Sequence, residues 1–229
     1  MKVLLFGGTG ILGKQITKKL EMGEHDFLSL GSANCSIDDS FDVYDTIIEY
    51  DPDIVIHCAG FVNTAEAEKY PDRCIEVNVN GTSNIVGVCR TLDKRLVYIS
   101  SEYVFDGSED EYTTESGLKP IGVYGLTKAC GELIVKTLEN HMIIRAPFWR
   151  DETFNVPKAF KNQYTCRQYV HEVVDDILSA SFSKEVGVKH IVGKYQSLYD
   201  LAIETKPEIE GIDMPEKFKG ILPMKIKLI

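Results

Sequence analysis

At 229 residues and 44% hydrophobic content the chain can bury a real core and need not be disordered. A formal net charge of −10 argues against a nucleic-acid surface, which needs clustered Lys and Arg, and mildly against an anionic membrane. Without a leader-like opening, a bilayer-length apolar run, or any metal-ligand or framework spacing among its Cys and His, the chain reads as cytoplasmic, metal-free and off the membrane.

Lys2 to Phe6 is a short apolar strand, ended by Gly7-Gly8-Thr9-Gly10. A helix follows, with Ile11, Leu12, Ile16 and Leu20 on one face. Strands are expected at 25–30, 53–57, 95–100 and 141–146, with helices at 40–50, 71–91 and 124–139 between them. Alternating strands and helices imply right-handed crossovers, hence an α/β fold with a doubly wound parallel sheet of Rossmann type. The strands are apolar throughout rather than alternating, which fits a sheet buried on both faces. Beyond Pro147 the pattern weakens: a loop over 151–164, a helix over 172–182, a strand over 188–192, a helix over 198–205, then a tail of low helical signal. The expected organisation is a dinucleotide-binding domain over 1–147. Residues 148–229 would form a reduced substrate-binding portion, interleaved with the end of that core.

Gly7-x-x-Gly10-x-x-Gly13 sits between the first strand and the first helix. A tight turn, close approach to a pyrophosphate and close helix packing each demand glycine there, and the helix N-terminus favours the anion. Gly7, Thr9, Gly10, Ile11, Leu12 and Gly13 are therefore candidate cofactor-binding residues; an ordinary glycine-rich turn is the bland alternative. The second strand ends Leu30-Gly31-Ser32, without the acidic residue that grips an NAD ribose, while Lys14 could meet a 2′-phosphate. NADP(H) is favoured, with NAD(H) the alternative.

Tyr124 and Lys128 lie one turn apart on one helix face, shortly after a strand that ends in Ser100-Ser101. Carbonyl reduction adds hydride to carbon and needs a proton for the alkoxide. A free tyrosine, with pKa about 10, is a poor partner near neutrality, and a neighbouring ammonium lowers that value. Lys128 would do this while binding the nicotinamide ribose, and Ser101 would stabilise charge on the substrate oxygen. Ser101, Tyr124 and Lys128 are the candidate catalytic residues. A solvated helix pair with a strand-end serine is the alternative.

Asp53-Ile54-Val55-Ile56-His57-Cys58-Ala59-Gly60, Ala65-Glu66-Ala67-Glu68 and Val77-Asn78-Val79-Asn80-Gly81-Thr82 resemble the extended short-chain dehydrogenases. The stretch from Val97 to Gly107, with Tyr112 to Glu115, Pro120 and Val123 to Glu132, is similar to the dTDP-4-dehydrorhamnose reductase branch. The resemblance implies reduction of the 4-keto group of a nucleotide-linked 4-keto-6-deoxy sugar, as in dTDP-rhamnose biosynthesis, by a homodimer built through the helices flanking the fourth and fifth strands. It carries Ser101, Tyr124 and Lys128 onto the catalytic positions and Glu102-Tyr103 onto an Asp-Tyr pair facing the sugar. Phe148 falls at or near a pocket aromatic, although an aromatic beside Pro147 is more often plain packing. Cys58, Ala59 and Gly60 fall on the nicotinamide side, and Ile37 falls beside adenine. Three departures stand out: Ser36-Ile37 where the family has an Asp before the apolar residue, Glu102 for the shorter Asp, and a short C-terminal lobe.

Other functions stay open. A bifunctional epimerase/reductase needs a further acid and base, for which Cys130, Cys166 and His171 are the nominees. A 4,6-dehydratase wants an acidic pair where this chain has Glu102-Tyr103. A non-catalytic NADP-binding regulatory subunit, of the kind found with methionine adenosyltransferase, resembles the same branch.

Overall fold

The computed structural model describes residues 1–149, 154 and 156–229, so part of the expected 151–164 loop lies outside the described residues. Six parallel strands, β1 (Lys2–Phe6), β2 (Asp26–Leu30), β3 (Ile54–His57), β4 (Arg95–Ser100), β5 (His141–Arg145) and β10 (Gly187–His190), form the central sheet. Their spatial order is β2-β1-β3-β4-β5-β10. The chain steps outward from β1 to β2, then returns to place β3 on the other side of β1. That reversal leaves a crevice beyond the carboxyl ends of β1 and β3, where open α/β sheets hold their ligands. The fold is of the doubly wound Rossmann type.

Both faces of the sheet are covered, which is why the strands are apolar without alternation. Val3, Leu5, Ile54, Ile56, Val97, Ile99, Met142 and Ile144 face α1 (Ile11–Glu21) and α7 (Val170–Phe182). Leu4, Phe6, Val55, Leu96, Tyr98 and Ile143 meet Val43 and Ile47 of α2 (Ser40–Tyr50) and Ile85, Val86 and Cys89 of α5 (Gly81–Thr91). The single helix expected over 71–91 is interrupted. A short α3 (Thr64–Lys69) precedes α4 (Pro71–Ile75), and a π-helical turn over Glu76–Asn80 joins α4 to α5. The extra residue of a π turn rotates Asn78 inward, where it bonds to the loop after β3 and to the next helix. That helix, α6 (Val123–Val135), is shorter than its sequence suggests.

The chain beyond Arg145 contributes to two bodies. α7 and β10 complete the Rossmann core, whereas β6 (Phe148–Trp149), β7 (Lys158–Phe160), β8 (Tyr164–Thr165), β9 (Gln168–Tyr169), β11 (Gln196–Ser197), α8 (Leu198–Ile203) and β12 (Glu210–Ile212) pair among themselves. Phe154, Ala159, Tyr169, Leu198, Leu201 and Ile209 form a separate small core there. The tail has structure despite its weak signal. β12 pairs with β7, and Ile226 and Leu228 are buried against Val104, Phe105 and Tyr112.

Candidate active site

The glycine turn is dictated by close backbone approaches. Gly7 has φ +87°, and a Cβ there would sit 2.5 Å from the Ala59 nitrogen at the end of β3. A Cβ on Gly13 would fall on the Gly7 carbonyl and 2.7 Å from Gly8 Cα, so α1 can pack this tightly only without one. Gly7 and Gly8 N–H both donate to Leu30 O at 2.8 Å, tying the turn to β2. Thr9, Gly10 and Ile11 are exposed, Leu12 and Gly13 are buried, and α1 carries no acidic residue in its first turn. An uncapped helix N-terminus behind a bare backbone suits a diphosphate, so these residues fit a dinucleotide. Lys14 and Lys18 line a groove beside Gly8, Thr9 and Ser29.

The other expected cofactor contacts fall in two places. Cys58, Ala59 and Gly60 are half-buried at the crevice, and Asn78 holds the segment by accepting from Phe61 N–H at 2.7 Å and donating to Phe61 O at 3.0 Å. Ile37, only 5% exposed, packs with Leu4 and Phe6 beneath Gly81 and belongs mainly to the core. Its neighbour Asp38 is paired with Arg73.

Ser101 follows β4 and caps a short 3-10 turn, its Oγ accepting from Tyr103 N–H at 3.2 Å. Tyr124 and Lys128 project from the first turns of α6 toward that strand end. Burial pushes the Tyr124 phenol up to about 12, against a smaller opposing pull from Ser101. Lys128 is 5% exposed, donates to Ile99 O at 2.7 Å and lies 4.0 Å over the Tyr98 ring. Burial pushes its ammonium down to about 7, against a smaller opposing pull from Glu132. The expected lowering of the Tyr124 pKa by Lys128 is therefore not what the geometry delivers. Desolvation dominates at both groups, and Lys128 is turned onto a backbone carbonyl.

Beneath the trio sits a buried ion pair that the sequence reading did not single out. Arg145 donates to Glu132 through Nε at 2.9 Å and Nη2 at 2.8 Å, both side chains being fully buried, and Ser100 Oγ donates to the same carboxylate at 2.5 Å. Glu132 lies one turn beyond Lys128, so the pair ties α6 to the ends of β4 and β5. Its only sequence signal was the 4-residue spacing Tyr124-Lys128-Glu132 along one helix face.

Glu102 and Tyr103 occupy different environments. Glu102 is 2% exposed, and its oxygens accept from Arg167 Nε at 2.8 Å and Thr165 Oγ1 at 2.6 Å. Tyr103 is half-buried and meets Tyr124 edge-on, ring centroids 6.2 Å apart at 86°. Phe148 is half-buried in β6 and packs against the α1/α7 side of the core. Cys130 is exposed on α6, and Cys166 points at Leu228 O, so neither thiol is drawn to the trio.

A Rossmann sheet carrying a glycine turn at its switch point and a Ser-Tyr-Lys set on the fourth strand and following helix defines an extended short-chain dehydrogenase/reductase. Within that class, the chain belongs to the family described as RmlD substrate binding domain, whose model matches residues 1–188. It is 31% identical over 156 residues to methionine adenosyltransferase 2 subunit beta of Rattus norvegicus, covering 64% of this chain and 46% of that protein. It is 32% identical over 133 residues to dTDP-4-dehydrorhamnose reductase of Streptomyces griseus, covering 58% and 44%. The chain thus matches somewhat less than half the length of these curated relatives. The crystal structure of a dTDP-4-dehydrorhamnose reductase from Clostridium acetobutylicum superposes with TM-score 0.90 at 24% identity, covering 100% of this chain and 90% of the other. One from Bacillus anthracis, in complex with NADP, gives 0.88 at 23%, covering 100% and 89%. At those identities the likeness is one of fold.

Proposed function

We propose that the chain reduces the 4-keto group of a nucleotide-linked 4-keto-6-deoxy sugar, with NADPH as reductant. The observation that carries this reading is the convergence of Ser101, Tyr124 and Lys128 at the end of β4, near the crevice bordered by the glycine turn. When bound, the dinucleotide supplies hydride to the carbonyl carbon. Tyr124, protonated at neutral pH as any tyrosine is, gives its proton to the oxygen as alkoxide character develops. Ser101 Oγ is already an acceptor for Tyr103 N–H, which leaves its proton to stabilise the same oxygen. Lys128 holds the ribose when the cofactor is in place. The backbone of Gly7 to Gly13 holds the pyrophosphate. The lack of an acidic residue after Leu30, with Lys14 and Lys18 beside Gly8 and Thr9, supports NADP(H) over NAD(H).

Residues 148–229 form the substrate-binding portion in this reading, with Tyr103 facing the sugar and Glu102 supporting from behind. Phe148 serves as packing where that portion meets the α1/α7 side of the core. A homodimer through α5 and α6 is supported by Leu126, Cys130 and Leu133, an exposed stripe on the outer face of α6. Six free thiols fit a reducing compartment such as the cytoplasm. Among the described residues, no helix is long and apolar enough to cross a membrane. The likeness to methionine adenosyltransferase 2 subunit beta supports a second reading, a cofactor-binding subunit without turnover.

One assay separates the two: NADPH and NADH oxidation with dTDP- and UDP-linked 4-keto-6-deoxyglucose, with Tyr124→Phe as control. Turnover lost in the variant supports the reductase. NADPH binding without turnover by the unmodified chain supports the subunit.

A further inference from the structure

Arg167 lies between β8 and β9, and its guanidinium crosses to the segment after β4. Nε donates to Glu102 Oε1 at 2.8 Å while Nη2 donates to Tyr103 Oη at 2.6 Å. The same planar group sits 5.1 Å from the Tyr103 ring centre and 5.7 Å from that of Trp149. Thr165 Oγ1 takes the second oxygen of Glu102 at 2.6 Å. One rigid fork thus clamps a buried carboxylate and a phenol together, a geometry that a lysine could not span. Glu102, one methylene longer than Asp, provides the anchor.

The consequence falls on Tyr103. Its hydroxyl oxygen accepts from Arg167 and, at 3.5 Å, from Gln163 Nε2. A phenol has one proton and two acceptor sites, so with both sites used the proton is left to donate elsewhere. Accepting from a cation also polarises the O–H and strengthens it as a donor. The ring that carries it packs edge-on against Tyr124, and the Arg167 charge acts on the Tyr124 phenol in the direction that favours its ionised form.

We infer that Arg167 is a positioning residue of the active site, delivered by the C-terminal portion, which aims the Tyr103 hydroxyl as a hydrogen-bond donor to bound substrate and fixes the ring against which Tyr124 is held. The substrate role rests on the proposed reduction; the clamp itself does not.

The test uses the full chain with Arg167→Met, Arg167→Lys and Tyr103→Phe. Two readouts are needed: steady-state reduction of the keto sugar, and 13C NMR of protein labelled at tyrosine Cζ, with Tyr103→Phe and Tyr124→Phe providing assignments. Arg167→Met is expected to lower kcat about ten-fold, the equivalent of losing one polarised hydrogen bond. The NADPH Kd stays unchanged and both tyrosine resonances move. Arg167→Lys, a point charge without the fork, restores part of kcat. Tyr103→Phe removes a single oxygen, so it carries the test if Arg167→Met fails to fold. It lowers kcat similarly, and adding Arg167→Met to it costs little more. The inference is overturned if Arg167→Met keeps both kcat and the two resonances, or if the two losses simply multiply. Should the unmodified chain reduce no keto sugar while Arg167→Met still moves both resonances, the proposed reduction falls and the clamp stands.

Discussion

Replacing Glu132 by Gln preserves volume but removes a charge from a fully buried pair. Three charge-assisted hydrogen bonds meet at this carboxylate, from Ser100 Oγ at 2.5 Å, Arg145 Nε at 2.9 Å and Arg145 Nη2 at 2.8 Å. The amide turns one acceptor into a donor, and either orientation sets N–H groups against each other while Arg145 stays buried without its counter-charge. Breaking one side of such a pair costs about 3–5 kcal/mol. Against a typical domain stability of about 5–15 kcal/mol that is a large fraction. With a urea dependence of roughly 2–3 kcal/mol per molar, the unfolding midpoint should fall by about 1–2 M, measured by far-UV circular dichroism at neutral pH. Replacing both partners, Glu132→Leu with Arg145→Met, should recover most of the loss, because no charge is then left buried alone. A Glu132→Gln midpoint shift worth less than about 1 kcal/mol would refute the argument that this pair holds α6 to the strand ends.

Under the proposed reduction, Tyr124→Phe should lower kcat by roughly 10²–10⁴-fold while the NADPH Kd, followed by fluorescence titration, barely changes. Lys128 adds a pH dependence to stability. Its folded value is about 7, whereas an unfolded lysine titrates near 10.4, so between these the unfolded chain holds the extra proton and stability rises with pH. The rise approaches about 1.4 kcal/mol per pH unit in that window. Urea midpoints at pH 7 and 9 should show it in the unmodified chain and not in Lys128→Met. Gly13→Ala places a methyl against immovable backbone at Gly7 and Gly8, at a cost of about 1–3 kcal/mol, and should weaken NADPH binding. Unchanged affinity and melting temperature would count against the turn geometry.

Local patterns were legible because their information is local. Apolar runs such as Val3 to Phe6, the glycine turn and the Tyr124-Lys128 spacing each lie within a few residues, and backbone sterics and helix period convert them directly into geometry. The strand boundaries at Lys2–Phe6 and Arg95–Ser100 match for that reason. The π turn was not legible, because what selects it is the bonding of Asn78 to Phe61 and Thr127, 17 and 49 residues away. The environment of the site was equally beyond reach. Lys128 reads from sequence as a freely charged neighbour of Tyr124, yet burial and the Ile99 carbonyl decide its state. Glu102 reads as a sugar contact, yet Arg167, 65 residues on, claims it. The sequence by itself determined the sheet, the glycine turn and the candidate set of Ser101, Tyr124 and Lys128. Only the tertiary structure decided which of those side chains are charged and which are already engaged, since desolvation and pairing depend on groups that folding alone brings together.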